Sequence, residues 1–169
     1  MQADAFAAAI LALLTVQRIG ELAYARANTR RLLAEGGREH CARQYPFIVS
    51  LHALWLAGLW MLAWGRPVSL VLVAVLVLLQ AFRFWVLRAL GRRWTTRVIV
   101  VPGERLVREG PYRWLRHPNY LIVAAEIAVV PLIFGLVLYA ALFTVANAAI
   151  LWARIVCEEA ALGSAPRPD

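Results

Sequence analysis

The chain is cut into apolar runs of membrane-crossing length, and most of its arginines fall in the gaps between them. About 20 apolar residues in a helix rising about 1.5 Å per residue cover the roughly 30 Å hydrocarbon core of a bilayer. Such runs occupy residues 3–24, 45–64, 68–87, 118–134 and 136–156. Lipid offers the backbone no hydrogen-bond partners, so each run must satisfy itself as a helix. The expected fold is an all-α integral membrane protein of about five transmembrane helices, the last two a helical hairpin turning at Gly135. With 62% hydrophobic residues in 169, no block is left for a soluble catalytic domain. The chain therefore reads as one membrane domain whose chemistry lies in its helices and loops.

Five arginines lie between residues 26 and 44 and eight between 88 and 116, against Arg66 alone in the turn after the second run. Cytoplasmic loops carry the excess of arginine, which predicts an amino terminus outside, both basic loops inside and a cytoplasmic carboxyl terminus. The same clustering argues against a nucleic-acid partner, for which the cations would line one soluble face. Asp4, not a basic residue, stands at the head of the first run, so a cleaved signal peptide is not expected. A structural disulfide between Cys41 and Cys157 is not expected on a cytoplasmic face. With His40, His52 and His117 the two cysteines form no metal-ligand spacing, and no metal is expected. Internal repeats are absent from the sequence.

The charged residues inside the runs share one depth. Arg18 and Glu21 lie three apart on one helix face, either as a snorkelling pair or as a polar face turned into a site. His52 is the one ionisable group of the second run, an interior histidine or a base. Arg83 nears the end of the third run, and Glu126 lies two turns into the fourth. Asn147, Arg154 and Glu158 follow at offsets of seven and four, one stripe of the last helix, with Glu159 beside them. Charges at a membrane are costly unless paired or wetted, so this concentration points to a polar cavity facing the cytoplasm. The bland alternative for Arg154 and Glu158 is an exposed ion pair worth about 0.3–0.5 kcal/mol.

Residues 109–120 are the densest in chemistry. Pro118 suits the first position of a helix and His117 its cap, and a helix start offers unpaired N–H groups to an anion. One wall of the cavity is then cationic (Arg113, Arg116, Arg154) and the other acidic (Glu126, Glu158, Glu159), which suits a zwitterionic ligand. Residues 98–101 read as a strand or an extended connection, residues 26–44 as a basic loop, and residues 163–168 as a disordered tail.

Arg116-His117-Pro118-Asn119-Tyr120, followed after two apolar helices by Arg154-x-x-x-Glu158-Glu159-x-x-Leu162, resembles the carboxy-terminal signature of the isoprenylcysteine carboxyl methyltransferase family. The resemblance covers residues 98–162. Arg18-x-x-Glu21, Gly37-x-Glu39, Tyr45-Pro46, Leu51-His52 and Arg83-Phe84-Trp85 are similar to the small bacterial branch of that family, some members of which resemble alkylpyrone O-methyltransferases. The resemblance implies a multi-pass enzyme of the bacterial inner membrane that uses S-adenosylmethionine. It implies cofactor contacts at Arg116, His117, Pro118, Tyr120, Glu126, Glu158 and Glu159, in a cytoplasmic loop region beside the last two helices. Arg154 and Glu158 are the implied catalytic pair. Arg18, Glu21, His52, Arg83 and Asn147 are expected to face the methyl acceptor, a lipophilic small molecule or lipidated chain reached through the membrane lipid.

No Gly-x-Gly-x-x-Gly loop is present, which excludes a soluble nucleotide-fold methyltransferase. The rival reading is a non-enzymatic transporter or assembly factor whose arginine loops bind anionic lipid. Paired, interrupted helices in corresponding halves would mark a transporter, and the sequence lacks them.

Overall fold

The computed structural model describes residues 2–104 and 106–163; the tail expected at 163–168 lies, from Ser164 on, outside the described residues. Among these residues five α-helices run in the order α1 (Gln2–Ala34), α2 (Tyr45–Leu62), α3 (Leu70–Leu90), α4 (Pro118–Ile133) and α5 (Val137–Gly163). Between them lie two short strands, β1 (Arg38–His40) and β2 (Val98–Val100). Helices α1, α2, α3 and α5 are long and apolar enough to cross a membrane. Helix α4, at 16 residues, is shorter, about 24 Å at about 1.5 Å per residue.

The polar ties of the loops sort the molecule into two ends. At one end the Gly65 N–H donates to Asp4 at 2.8 Å and the Ser69 N–H to the Ile133 carbonyl at 2.9 Å, joining the start of α1 to the α2–α3 turn and that turn to the end of α4. At the other end β1 pairs antiparallel with β2, with Glu39 opposite Ile99. Both arginine-rich connections and the end of α5 gather there. The apolar core lies towards the first end, where Leu11, Trp55, Leu59, Ile127, Val130 and Phe134 are buried together. Outward faces are apolar too: Leu13, Met61, Leu78 and Leu138 are exposed, as lipid-facing positions require.

Two buried devices fix the packing. Pro131 inside α4 has no N–H, which leaves the Ile127 carbonyl without its helical partner. The Trp55 indole of α2 donates to that carbonyl at 3.2 Å. Gly58 lets α5 approach α2, since a Cβ there would lie 2.2 Å from the Tyr139 hydroxyl, which donates to the Trp55 carbonyl at 2.9 Å.

The expected boundaries need two corrections. Helix α1 does not stop near Tyr24 but runs on to Ala34, 33 residues in all, so the first part of the expected basic loop is helical. Residues 25–34 hold no glycine or proline, and Asn28 anchors them by donating to the Trp94 carbonyl at 2.8 Å. The helix ends at Gly36, in the left-handed region, and Gly37, where a Cβ would lie 2.6 Å from the Leu32 carbonyl. Secondly, Cys41 and Cys157 are joined by a disulfide, contrary to expectation. The sequence argument concerned compartment, whereas the β1–β2 pairing brings Cys41 to α5 across a separation of 116 residues.

Candidate active site

The start of α4 and the last turns of α5 meet at the basic end. Helix α4 begins at Pro118, which is buried and whose missing N–H costs nothing at the first helical position. His117 precedes it but its side chain makes no capping bond, a correction to the expected role. Instead its imidazole Nε2 donates to Glu159 at 2.8 Å, and its ring stacks on Tyr120 with centroids 5.2 Å apart. The exposed Arg116 pairs with the other oxygen of Glu159 at 2.6 Å.

Arg154 is 6% exposed. Its Nε donates to the Tyr120 hydroxyl at 2.8 Å and its Nη2 to the Thr96 carbonyl at 2.9 Å. The Tyr120 hydroxyl in turn donates to the Glu158 carboxylate. Helix α5 thus presents Arg154 and Glu158 one turn apart, and Tyr120 bridges them; the alternative of a simple exposed ion pair does not describe this geometry. Burial, and then the charge of Glu158, push the Tyr112 phenol well above its ordinary pKa, so it remains a hydrogen-bond donor. A cleft of about 360 Å³ lined by Arg108, Tyr112 and Arg113 opens here.

A second polar group lies deeper. Glu126 is 1% exposed and accepts from Arg18 at 2.5 Å, Arg83 at 2.7 Å and Gln80 at 2.7 Å. Glu21 accepts from Arg18, Arg83 and Gln17 at 3.0, 2.7 and 2.9 Å. Two arginines and two glutamates cancel, so α1, α3 and α4 are joined by a charge-balanced buried network. His52 donates to the Ile48 carbonyl of its own helix at 2.8 Å. Asn147 is buried, and its Oδ1 has no hydrogen-bond partner among the described residues.

The expected acidic wall is therefore divided. Glu158 and Glu159 face His117, Tyr120 and Arg154, as expected, but Glu126 belongs to the Arg18–Glu21–Arg83 group. Six residues beyond Tyr120, it is turned about 240° around α4 and lies about 9 Å further along it. Depth read from sequence gives axial height and not direction. Three participants have no role in the sequence reading: Gln17, Gln80 and Thr96. The two glutamines carry a signal, being amides inside apolar runs at the depth of Arg18 and Arg83. Thr96 acts through its carbonyl, which no side-chain pattern reveals. Among the described residues no group of three metal-ligating side chains occurs.

Residues 71–164 match the model of the isoprenylcysteine carboxyl methyltransferase (ICMT) family. The uncharacterized protein YpbQ of Bacillus subtilis (strain 168) is 39% identical over 158 residues, covering 90% of this chain and 94% of its own. An uncharacterized protein of Haemophilus influenzae (strain ATCC 51907 / DSM 11121 / KW20 / Rd) is 28% identical over 67 residues, 40% of this chain and 36% of its own. No solved structure matches. The matched segment takes in α4, α5 and the whole His117–Tyr120–Arg154–Glu158 group, and the chain belongs to the isoprenylcysteine carboxyl methyltransferase family of membrane methyltransferases.

Proposed function

We propose that the protein transfers a methyl group from S-adenosylmethionine to an oxygen of a lipophilic acceptor. The observation that carries this reading is the Tyr120 hydroxyl held between Arg154 and Glu158, with His117 and Glu159 alongside. These residues suit the cofactor: carboxylates for its cationic amino and sulfonium groups, Arg116 for its carboxylate, and the stacked His117–Tyr120 pair for its apolar and aromatic parts. Asn119 beside them has a buried Oδ1 without a partner among the described residues, which a ligand N–H would satisfy.

The cofactor when bound supplies an electrophilic methyl group. A carboxylate or enolate acceptor is already anionic near neutral pH, so the protein need only position it and exclude water. Arg154, braced by Tyr120 and the Thr96 carbonyl, holds the acceptor oxygen, and Glu158 holds the cofactor. The deep group of Arg18, Glu21, Arg83 and Glu126, with His52 and Asn147, receives the polar head of an acceptor entering from the lipid. That acceptor is an isoprenylcysteine carboxyl group or an alkylpyrone-like polyketide lipid. In this reading the basic end faces the cytoplasm of a bacterial inner membrane, where the soluble cofactor is found.

Arg154→Ala and Glu158→Ala are expected to abolish methyl transfer while leaving insertion intact. Full activity in both would refute the assignment. Absence of cofactor binding by the detergent-solubilised protein at millimolar concentration would instead favour a non-enzymatic membrane protein.

A further inference from the structure

A second cleft, of about 320 Å³, opens at the basic end and shares no lining residue with the Tyr112 cleft. Arg26, Thr29 and Arg30 line one wall, and Tyr45, Thr96 and Arg97 the other. The first three lie on one face of α1, at offsets of three and four. Arg97 is held in place, stacked 4.1 Å above the Tyr45 ring and paired with Glu39 at 2.6 Å. Arg26 and Arg30 are exposed and form no ion pair with a carboxylate among the described residues. With Glu39 the only acid in the lining, the cleft carries a net charge of two positive.

Depth decides which anion reaches it. Asp4 sits at the α2–α3 turn at the opposite end, and 22 residues of α1 separate it from Arg26. At about 1.5 Å per residue this is about 33 Å, so if Asp4 marks one edge of the roughly 30 Å hydrocarbon core, Arg26 emerges at the other. Arg30 lies one turn further out, and Tyr45, an aromatic with a polar tip, suits the same interfacial layer. Leu33, the fourth residue of the α1 face, is exposed at the rim and offers apolar surface to a chain.

We propose that this cleft binds the phosphate headgroup of an anionic phospholipid. The guanidinium forks of Arg26 and Arg30 match phosphate oxygens, and the Thr29 hydroxyl adds a donor. Basic pockets between membrane helices recognise headgroups in this manner. The site is independent of the methyl-transfer reading, since none of its binding side chains belongs to the Tyr120–Arg154–Glu158 group.

The test is native mass spectrometry of the detergent-solubilised protein with equimolar dioleoylphosphatidylglycerol and dioleoylphosphatidylcholine. Wild-type protein is expected to retain phosphatidylglycerol preferentially, and Arg26→Gln with Arg30→Gln to lose roughly tenfold in that preference. Arg88→Gln with Arg92→Gln removes the same charge from exposed positions that line neither cleft and is expected to leave it unchanged. Melting followed by circular dichroism checks that both variants are folded. A preference unaltered by the first pair, or lost equally in both, overturns the site. Displacement of the bound lipid by millimolar glycerol 1-phosphate would assign the cleft to a soluble phosphate ester and overturn the lipid source.

Discussion

Arg154 and Tyr120, from two different helices, are joined by a hydrogen bond of 2.8 Å from the guanidinium Nε to the phenol oxygen. Because that phenol in turn donates to Glu158, one hydroxyl sets the positions of the two α5 residues on which methyl transfer is proposed to depend. Tyr120→Phe keeps the ring and its stacking on His117 and removes only this bridge. Hydrogen bonds to charged groups contribute about 1.5–3 kcal/mol, so transfer measured with radiolabelled cofactor in membranes is expected to fall roughly tenfold to a hundredfold. Wild-type turnover in this variant would show that the bridge does not organise the site.

His117 and Glu159 offer a separate handle on cofactor affinity. Glu159→Gln loses the charge that faces both His117 and Arg116, and the cofactor Kd measured by calorimetry is expected to rise several-fold with little change in melting temperature. An unchanged Kd would place Glu159 outside the cofactor's reach.

The deep network should respond differently to single and paired changes. Arg83→Met leaves Glu126, 1% exposed, with one arginine fewer, and breaking a buried pair costs about 3–5 kcal/mol. Arg83→Met combined with Glu126→Met restores charge balance around the remaining Arg18–Glu21 pair and is expected to be milder than Arg83→Met alone. Thermal unfolding in detergent of the two singles and the double measures this, and simple additivity would contradict a shared network.

Trp55→Phe tests the proline device. The Ile127 carbonyl, deprived of its helical donor by Pro131, would lose its indole partner as well. An unsatisfied buried carbonyl costs about 1–3 kcal/mol, so a lowered unfolding midpoint is expected, with the cofactor Kd unchanged. Restoring the donor with Pro131→Ala in the same chain is expected to recover part of the loss.

The Cys41–Cys157 bond closes a separation of 116 residues between the β1 connection and α5. Disulfides closing long loops contribute about 2–4 kcal/mol, so Cys41→Ser with Cys157→Ser should lower the unfolding midpoint of oxidised protein and leave reduced protein unaffected. Equal midpoints for oxidised wild type and the double variant would show that the bond adds nothing to stability.

Much of this molecule is legible from a single row of letters. Apolar runs of membrane length identify α2, α3 and the start of α5 to within three residues, because a backbone in lipid has no alternative to the helix; α5 runs on past the expected end at residue 156 to Gly163. Arg116-His117-Pro118-Asn119-Tyr120 and the Arg154–Glu158–Glu159 spacing likewise point to the pair of helix ends that meet. The end of α1 is less legible, since past Tyr24 the chain leaves the apolar regime and only local propensity and the tertiary anchor at Asn28 extend the helix.

Sequence alone thus determined the apolar helices, apart from the end of α1, and brought out the residues at the start of α4 and the end of α5, since these follow from hydropathy and spacing along one axis. Tertiary structure decided which charges meet. Rotation about the helix axes sent Glu126 to Arg18 and Arg83 while Glu158 went to Tyr120, and strand pairing carried Cys41 to Cys157. Direction around a helix and contact across a long loop depend on the packing of every helix at once, and no local pattern encodes them.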